Sequence, residues 1–293
     1  MLSSWLRAIR VRFLLASIIA VGNGIAISYW KTGHVDPLNA ALTFGGVMCL
    51  HASVDLLNDY WDYRRGIDQL TTRTKFSGGT GVLPEKILSP RSVYLAGVAF
   101  LVLGVLVGAY FVIIRGPLVA IILAFAVVSI YFYSSSIVNA GLGELFVGIK
   151  GALIVIGSYF VQTGHVEPVS VFVGAIIGLL SSTVLFMNSI PDASADKAKG
   201  RRTLVILVGT QRATLSLPLF FILVYVLITA GVLLGIMKPS SVVALASSPI
   251  AILAIKRLRQ ARIGDAATLE PAMASTIAFS RLTGVLLAAS FLI

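Results

Sequence analysis

The chain has 293 residues, of which 57% are hydrophobic and only 12% are charged. Because a soluble globular protein carries about 25% charged residues, this composition excludes an ordinary water-soluble protein and indicates that lipid is the solvent. The formal net charge of +11 would suit nucleic-acid binding. The basic residues, however, flank apolar segments, where they report membrane topology. We therefore expect no nucleic-acid partner.

Nine apolar segments approach or exceed the roughly 20 residues that a helix needs to cross a bilayer. They cover residues 12–31, 38–57, 92–114, 117–134, 142–162, 169–190, 214–236, 241–255 and 273–293. The sequence predicts an all-α, polytopic membrane protein, a single domain over 1–293 with about nine spanning helices around a central cavity. The first segment lacks a small-residue cleavage site and is long enough to span, so we interpret it as a retained helix.

The Lys and Arg residues concentrate on one side of these predicted spans. Only Lys31, Arg115 and Lys238 fall on the other side. The positive-inside rule then places the amino terminus and the longer loops, at about 64–91, 191–213 and 256–272, in the cytoplasm. We expect a multi-pass protein of the cell membrane with its functional site facing the cytoplasm.

Two acidic segments lie at the cytoplasmic ends of the second and sixth predicted spans. The first contains Asp55, Asn58, Asp59 and Asp62, whose spacing of i, i+3, i+4 and i+7 places them on one helical face. The second contains Asn188, Asp192 and Asp196, spaced i, i+4 and i+8. Acidic residues this close to hydrocarbon are costly unless a cation or a proton relay compensates them. Solvated helix ends that pair with neighbouring arginines are the alternative explanation for the first segment.

Oxygen ligands without a nearby thiolate or second histidine suit Mg²⁺. The candidate metal ligands are Asn58, Asp59, Asp62, Asp68, Asp192 and Asp196. Basic residues surround them: Arg64, Arg65, Lys75, Lys197, Lys199, Arg201 and Arg202. A metal site with a cationic rim fits a polyanion such as diphosphate, although membrane topology alone also explains each of these basic residues.

These segments resemble the two aspartate-rich motifs of the UbiA superfamily of membrane prenyltransferases. NDYWDYRRGID at 58–68 is similar to the first motif and DASADKAKG at 192–200 to the second, on the second and sixth spans as in that family. The resemblance extends over essentially the whole chain. The common first motif, NDxxDxxxD, has its third aspartate where this chain has Gly66, and the next acid here is Asp68.

Further segments resemble the branch that prenylates 1,4-dihydroxy-2-naphthoate in menaquinone synthesis. NSIPDASADKAKGRRTL is similar to its NNxRDxxxDxxxGKRTL, and GLGELFVGIKGALIVIGSYFVQTG at 141–164 is similar to its fifth helix. RVRFLLAS at 10–17 resembles its RPRTLPAS opening. The loop after the first motif lacks the NRPxRP-like run of the ubiquinone, haem and archaeal ether-lipid branches. Lys150-Gly-Ala departs from the branch's usual Phe-Gly-Pro.

The resemblance implies a Mg²⁺-dependent transfer of a prenyl chain from a prenyl diphosphate to an aromatic acceptor. It implies catalytic roles for Asp62, Asp192, Asp196 and Tyr133. Lys150 is a further catalytic candidate, because it is a base well within a predicted span. The substrate-binding candidates are Asn58, Arg10, Arg65, Lys75, Ser134, Asn188, Lys197 and Arg202. We expect the glycine run at 78–81 to form part of a mobile lid and His51 to be a satisfied core residue.

Three alternatives remain open at this point. Lys150 deep in a span could bind the phosphate of geranylgeranylglyceryl phosphate, the acceptor of archaeal ether-lipid synthesis. A cation-coupled transporter also uses paired acids, but those bind at midplane depth, and no obvious repeat supports that class here. A scaffold protein would leave the paired motifs unexplained. The length of the prenyl chain and the oligomeric state are not readable from these residues.

Overall fold

The computed structural model describes residues 2–68 and 70–293, except for the side chains of Ser134 and Ser135. Over these residues it contains helices and no strand. The helices are α1 Leu2–Ala8, α2 Val11–Thr32, α3 Pro37–Arg64, α4 Pro90–Arg115, α5 Pro117–Phe132, α6 Gly143–Thr163, α7 Pro168–Ala198, α8 Leu204–Val208, α9 Thr210–Leu233, α10 Ser248–Gln260 and α11 Ala266–Ser290. A π-helical turn, Tyr133–Ile137, extends α5, and a 3₁₀ helix, Pro239–Ser247, precedes α10.

Each of the nine predicted spans coincides with a helix. Within the described part of the chain, eight helical segments are long and apolar enough to cross a membrane, with Pro239–Gln260 counted as one segment. The shorter apolar helix α5, of 16 residues, corresponds to the remaining prediction. The predicted all-α polytopic membrane architecture is therefore confirmed. α3 carries the first acidic segment and α7 carries the second.

Small residues allow the spans that carry the site to pack closely. The α6–α7 pair is among the most extensive contacts in the bundle. A Cβ atom added at Gly178 of α7 would lie 2.3 Å from the carbonyl oxygen of Gly148 on α6. Backbones approach this closely only where side chains are absent, as is common between membrane helices. α7 is thereby held firmly against α6, with its acidic end beyond the contact.

The turns that join α2 to α3 and α6 to α7 have nearly the same sequence, TGHVDP at 32–37 and TGHVEP at 163–168. In both turns a left-handed glycine ends the helix, with φ of 69° at Gly33 and 79° at Gly164. In both, the threonine hydroxyl donates to the carbonyl oxygen of the histidine, at 2.9 and 3.0 Å. This short repeat, which neither the hydropathy nor the acidic motifs indicate, relates two helical hairpins.

The two turns also contact each other at equivalent positions. Lys31, just before the first TGHV, places Nζ 2.8 Å from Oε2 of Glu167. Gln162, just before the second, accepts from the backbone N–H of Asp36 at 2.8 Å and donates to its carbonyl oxygen at 3.2 Å. We call residues 31–37 and 162–168 the paired turns. α3 and α7 both begin at the paired turns and carry their acidic segments near their other ends. Both acidic segments therefore lie at the opposite end of the bundle from the paired turns.

Candidate active site

The two acidic segments meet at one cavity of about 300 Å³. Its wall includes seven predicted or neighbouring polar side chains from both segments and the following loop: Asp55, Asn58, Asp62, Asp68, Asn188, Asp192 and Asp196. The helical faces inferred from sequence spacing therefore converge. The exception is Asp59, which does not line this cavity within the described structure.

Arg201 joins the two acidic segments. Its Nη1 donates to Oδ1 of Asp196 at 2.9 Å, and its Nη2 donates to Oδ1 of Asp62. Gly200 adopts a left-handed conformation with φ of 79°, which turns the chain so that Arg201 faces back toward α7. Burial alone would lower the pKa of Arg201, but the carboxylates of Asp62 and Asp196 raise it above its ordinary value. The guanidinium is therefore a permanent cation between the two motifs.

A second arginine engages Asp59. Nη2 of Arg10 lies 2.6 Å from Oδ1 of Asp59, and the hydroxyl of Thr80 donates to the other carboxylate oxygen. Arg10 occupies the break between α1 and α2 with a positive φ of 46°, a conformation that costs free energy for a non-glycine residue. Its pKa is lowered by burial but raised more by the Asp59 and Asp55 carboxylates. Within the first motif, Asp59 therefore pairs with an arginine, whereas Asp62 and Asp68 line the cavity.

Asp68 lines the cavity near the position where the common first motif has its third aspartate. Its side chain is buried, with 6% of the residue exposed. Burial, followed by the charges of Asp62 and Asp59, raises the pKa of Asp68 to about 8. Without a bound cation Asp68 is therefore mainly a neutral acid at pH 7, and a cation in the cavity would favour its ionised form.

The loop between α3 and α4 covers the mouth of the cavity. Phe76, Ser77, Gly78 and Gly79 line it, and the Gly78 N–H donates to Oδ2 of Asp192 at 3.3 Å. Gly79 has φ of 74°, and a Cβ atom there would lie 2.7 Å from Oδ1 of Asp68. A side chain at this position would collide with the predicted ligand.

The same loop is fastened to the amino-terminal helix α1. Glu85 accepts hydrogen bonds from Arg7 at 2.8 and 2.9 Å and from Arg73. Arg7 also donates through Nε to the carbonyl oxygen of Thr80 at 2.7 Å. The hydrogen bonds from Arg7 and Arg73 lower the pKa of Glu85. We call Arg7, Arg73 and Glu85 the loop latch.

The inner end of the cavity contains a base among polar groups. Tyr133 and Lys150 line it together with His51, and Asp55 and Glu144 are the acids of this part of the wall. Nδ1 of His51 lies 2.7 Å from Oγ of Ser17. Lys150 also borders a second, mainly apolar cavity of about 140 Å³ between α3, α4, α5 and α6. The ammonium group of Lys150 therefore lies between the polar cavity and the apolar cavity.

The structure does not bring four predicted substrate-binding residues to the cavity wall. Arg65 donates to Oδ1 of Asn139 at 3.0 Å and to the carbonyl oxygen of Lys199 at 3.2 Å. Lys75, Lys197 and Arg202 are exposed. The side chain of Ser134 lies outside the described residues. The sequence places Arg201 among the basic residues around the metal ligands but does not mark it as a substrate-binding candidate. The run KGRR gives no signal that distinguishes one basic residue from the next.

The donor atoms of the cavity fit Mg²⁺. Oδ1 of Asn188 and Oδ1 of Asp192 are buried and have no hydrogen-bond partner among the described residues. Both are oxygen atoms, one helical turn apart on α7, and buried polar oxygens require a partner. In the described part of the chain, no three His, Cys, Asp or Glu side chains form a ready cage. Mg²⁺ typically takes one or two protein carboxylates and completes its coordination with water and substrate phosphate.

Comparison with known proteins identifies the family. The chain is 28% identical over 253 residues to the 1,4-dihydroxy-2-naphthoate octaprenyltransferase of Bacillus subtilis, covering 84% of this chain and 79% of that protein. Its fold matches a UbiA homolog from Archaeoglobus fulgidus bound to GPP and Mg²⁺, with a TM-score of 0.67, 16% identity and coverage of 97% and 99%. It also matches a digeranylgeranylglyceryl phosphate synthase, with a TM-score of 0.62, 18% identity and coverage of 99% and 96%. The sequence model of the UbiA prenyltransferase family matches residues 15–289, so the chain belongs to this family, as predicted, and is a membrane prenyltransferase.

Proposed function

We propose that this prenyltransferase moves a prenyl chain from a prenyl diphosphate to 1,4-dihydroxy-2-naphthoate in a Mg²⁺-dependent reaction. The observation that carries the proposal is the polarity of the cavity, which has acids at its mouth and Lys150 beside apolar space at its inner end. That order matches a prenyl diphosphate, which has a charged head and a hydrocarbon tail. The name of the Bacillus subtilis relative supports the acceptor.

The diphosphate head belongs at the acidic mouth. Asn58, Asp62, Asp192 and Asp196, with Asp68 as a further ligand, would together hold Mg²⁺, and its positive charge would stabilise a leaving diphosphate. Asp59 binds Arg10 in the structure, so its contribution is to position that cation beside the mouth. The covering loop excludes water, which would otherwise capture an allylic cation.

The acceptor ring belongs between Tyr133 and Lys150. The ring carbon that bears the carboxylate forms a bond to the allylic carbon, whose C–O bond breaks so that diphosphate leaves with the bonding pair. The carboxylate then leaves as CO₂ and returns its bonding pair to the ring. Lys150 pairs with this carboxylate in the ground state, while the face of Tyr133 stabilises positive charge on the allylic carbon.

The asymmetric distribution of basic residues supports an orientation with the amino terminus and the acidic mouth in the cytoplasm. In this orientation the paired turns face the outside of the cell membrane. A water-soluble diphosphate would then enter and leave on the cytoplasmic side.

Lys150 also favours a second candidate acceptor. An ammonium group at the inner end of the cavity binds a phosphate as readily as a carboxylate. The fold match to a digeranylgeranylglyceryl phosphate synthase supports this alternative, in which the acceptor is geranylgeranylglyceryl phosphate.

A single assay separates the two acceptors. Purified protein is incubated with labelled geranylgeranyl diphosphate and Mg²⁺, and each acceptor is offered separately and then together. We expect a prenylated naphthoquinol precursor and release of CO₂. Prenylation of the glycerol lipid without any naphthoate product would overturn the acceptor and leave the prenyl transfer intact.

The same assay tests the metal. We expect EDTA to stop product formation and Mg²⁺ in excess of EDTA to restore it, because the donor set of the cavity consists of oxygen atoms. Full activity after complete chelation would overturn the metal-dependent part of the proposal.

A further inference from the structure

Arg201 joins the two acidic motifs through its guanidinium group. The two terminal nitrogen atoms of its guanidinium bind different helices, because Asp62 belongs to α3 and Asp196 belongs to α7. The contact is built into the local fold, because the backbone N–H of Arg201 donates to the carbonyl oxygen of Asp196 at 2.9 Å. The side chain is only 10% exposed.

As long as both are ionised, the two carboxylates need a compensating cation. Asp62 and Asp196 are 6% and 4% exposed, and two buried like charges that face each other repel strongly. In the structure the guanidinium supplies the compensating charge. A divalent ion that binds the same oxygens must take its place, because a guanidinium and a metal ion cannot share one pair of carboxylates without repelling each other.

A displaced Arg201 has a suitable new partner in the cavity. The side chain lines the cavity, and its buried Nε has no hydrogen-bond partner in the described part of the chain. A guanidinium matches two phosphate oxygens through parallel hydrogen bonds. Diphosphate that arrives with the metal offers such oxygens at the same mouth.

We propose that Arg201 is an exchangeable counter-ion, which holds Asp62 and Asp196 when metal is absent and moves to the diphosphate when metal takes those carboxylates. The inference rests on the proposed function, because its ligands are a divalent ion and diphosphate. Arg201 should therefore assist the binding of diphosphate and oppose the binding of the metal alone.

Metal binding by the purified full-length protein in detergent tests this statement. Mn²⁺ is titrated with and without inorganic pyrophosphate, and free Mn²⁺ is measured by electron paramagnetic resonance. Without pyrophosphate, we expect Arg201→Gln to bind Mn²⁺ about tenfold more tightly than wild type. Pyrophosphate should tighten Mn²⁺ binding less in the variant than in wild type. Arg259→Gln, which removes the same charge from an exposed arginine of α10 that does not line the cavity, should resemble wild type.

The possible results distinguish a failure of the counter-ion exchange from a failure of the metal site in the proposed function. Mn²⁺ affinity that is unchanged or weaker in Arg201→Gln, with normal binding by wild type, overturns the counter-ion exchange alone. A wild-type protein that binds no Mn²⁺ overturns the metal site of the proposed function and the exchange with it. If Arg201→Gln does not fold, Arg201→Met provides the test, because methionine removes the charge and keeps a long side chain. It should still bind Mn²⁺ more tightly than wild type, and equal affinity would overturn the exchange.

Discussion

The hairpins α2–α3 and α6–α7 are alike at one end and different at the other. At the paired turns, the same positions make reciprocal contacts, Lys31 with Glu167 and Gln162 with Asp36. At the acidic end, α3 gives two aspartates, Asp59 and Asp62, to arginines from other segments, whereas α7 gives only Asp196 to one. Buried oxygens without hydrogen-bond partners among the described residues remain on both helices, at Asp55 of α3 and at Asn188 and Asp192 of α7. The repeated turns are therefore structural, and the two hairpins differ where chemistry is expected.

Removing the cavity-facing acids should produce the largest effect. We expect Asp62→Asn and Asp196→Asn each to lower kcat at least about 100-fold, since each removes a charge that holds the cation at the leaving group. Prenyl transfer to the acceptor is the measurement, and thermal unfolding in detergent reports folding. Asp265→Asn, at an exposed position away from the cavity, should retain full activity. Near-normal turnover in both cavity variants would contradict the metal-site proposal.

Asp59, which pairs with Arg10, should behave differently. Asp59→Asn leaves Arg10 partly buried without its charged partner, and breaking a buried pair costs about 3 kcal/mol or more. We expect a clear loss of stability on thermal unfolding, with kcat reduced less than in Asp62→Asn. A variant that is fully stable yet inactive would place Asp59 among the ligands and remove the asymmetry within the first motif.

The paired turns should depend on their two contacts unequally. Gln162→Ala removes both hydrogen bonds to the Asp36 backbone, and we expect a loss of about 1–2 kcal/mol in unfolding free energy. Lys31→Ala removes a partly exposed ion pair and should cost less than about 1 kcal/mol. Unfolding of both variants in the same detergent measures the difference. A larger effect of Lys31→Ala would show that charge, rather than backbone satisfaction, holds the turns together.

The smallest effect concerns pH. The hydrogen bond from Lys31, opposed by burial and aided by His165, lowers the pKa of Glu167 to about 2 from its ordinary value of 4.5. Since the folded-state pKa is depressed, this stabilisation is present above pH 4.5 and is lost as pH falls toward 2. The difference in Tm between wild type and Glu167→Gln should therefore shrink as pH is lowered through this range. A constant difference would contradict the ion pair.

Hydropathy and helical spacing were sufficient for the fold class, the spans and the meeting of the two acidic segments. These features depend on patterns repeated over many residues, such as the acids one turn apart on α7. Hydropathy did not predict the short helix α1. The apolar segment 117–134 also gave no sign that the turn which extends α5 from Tyr133 is π-helical. Local irregularities of this kind depend on neighbours that are distant in sequence.

The direction of individual basic side chains could not be predicted. Arg201 and Arg202 are adjacent and chemically identical, yet one bridges the motifs and the other is exposed. The difference follows from the left-handed Gly200 and the backbone hydrogen bond to Asp196, both of which belong to the folded loop. Asp59 and Asp62 share a helical face, but Arg10 enters from another segment and selects one of them. Spacing specifies a face, whereas partners decide which residues on that face remain available.

The loop latch offers a connection between the cavity and the surface of the membrane. α1 exposes Leu2 and Leu6, at 75% and 45%, and we expect these leucines to place the helix in the interfacial layer of a bilayer. Anionic lipid headgroups in that layer should then attract Arg7 and Arg73 and compete with Glu85 for them. We therefore expect lipid composition to act on the loop that covers the cavity, so that turnover in an anionic bilayer differs from turnover in a neutral detergent.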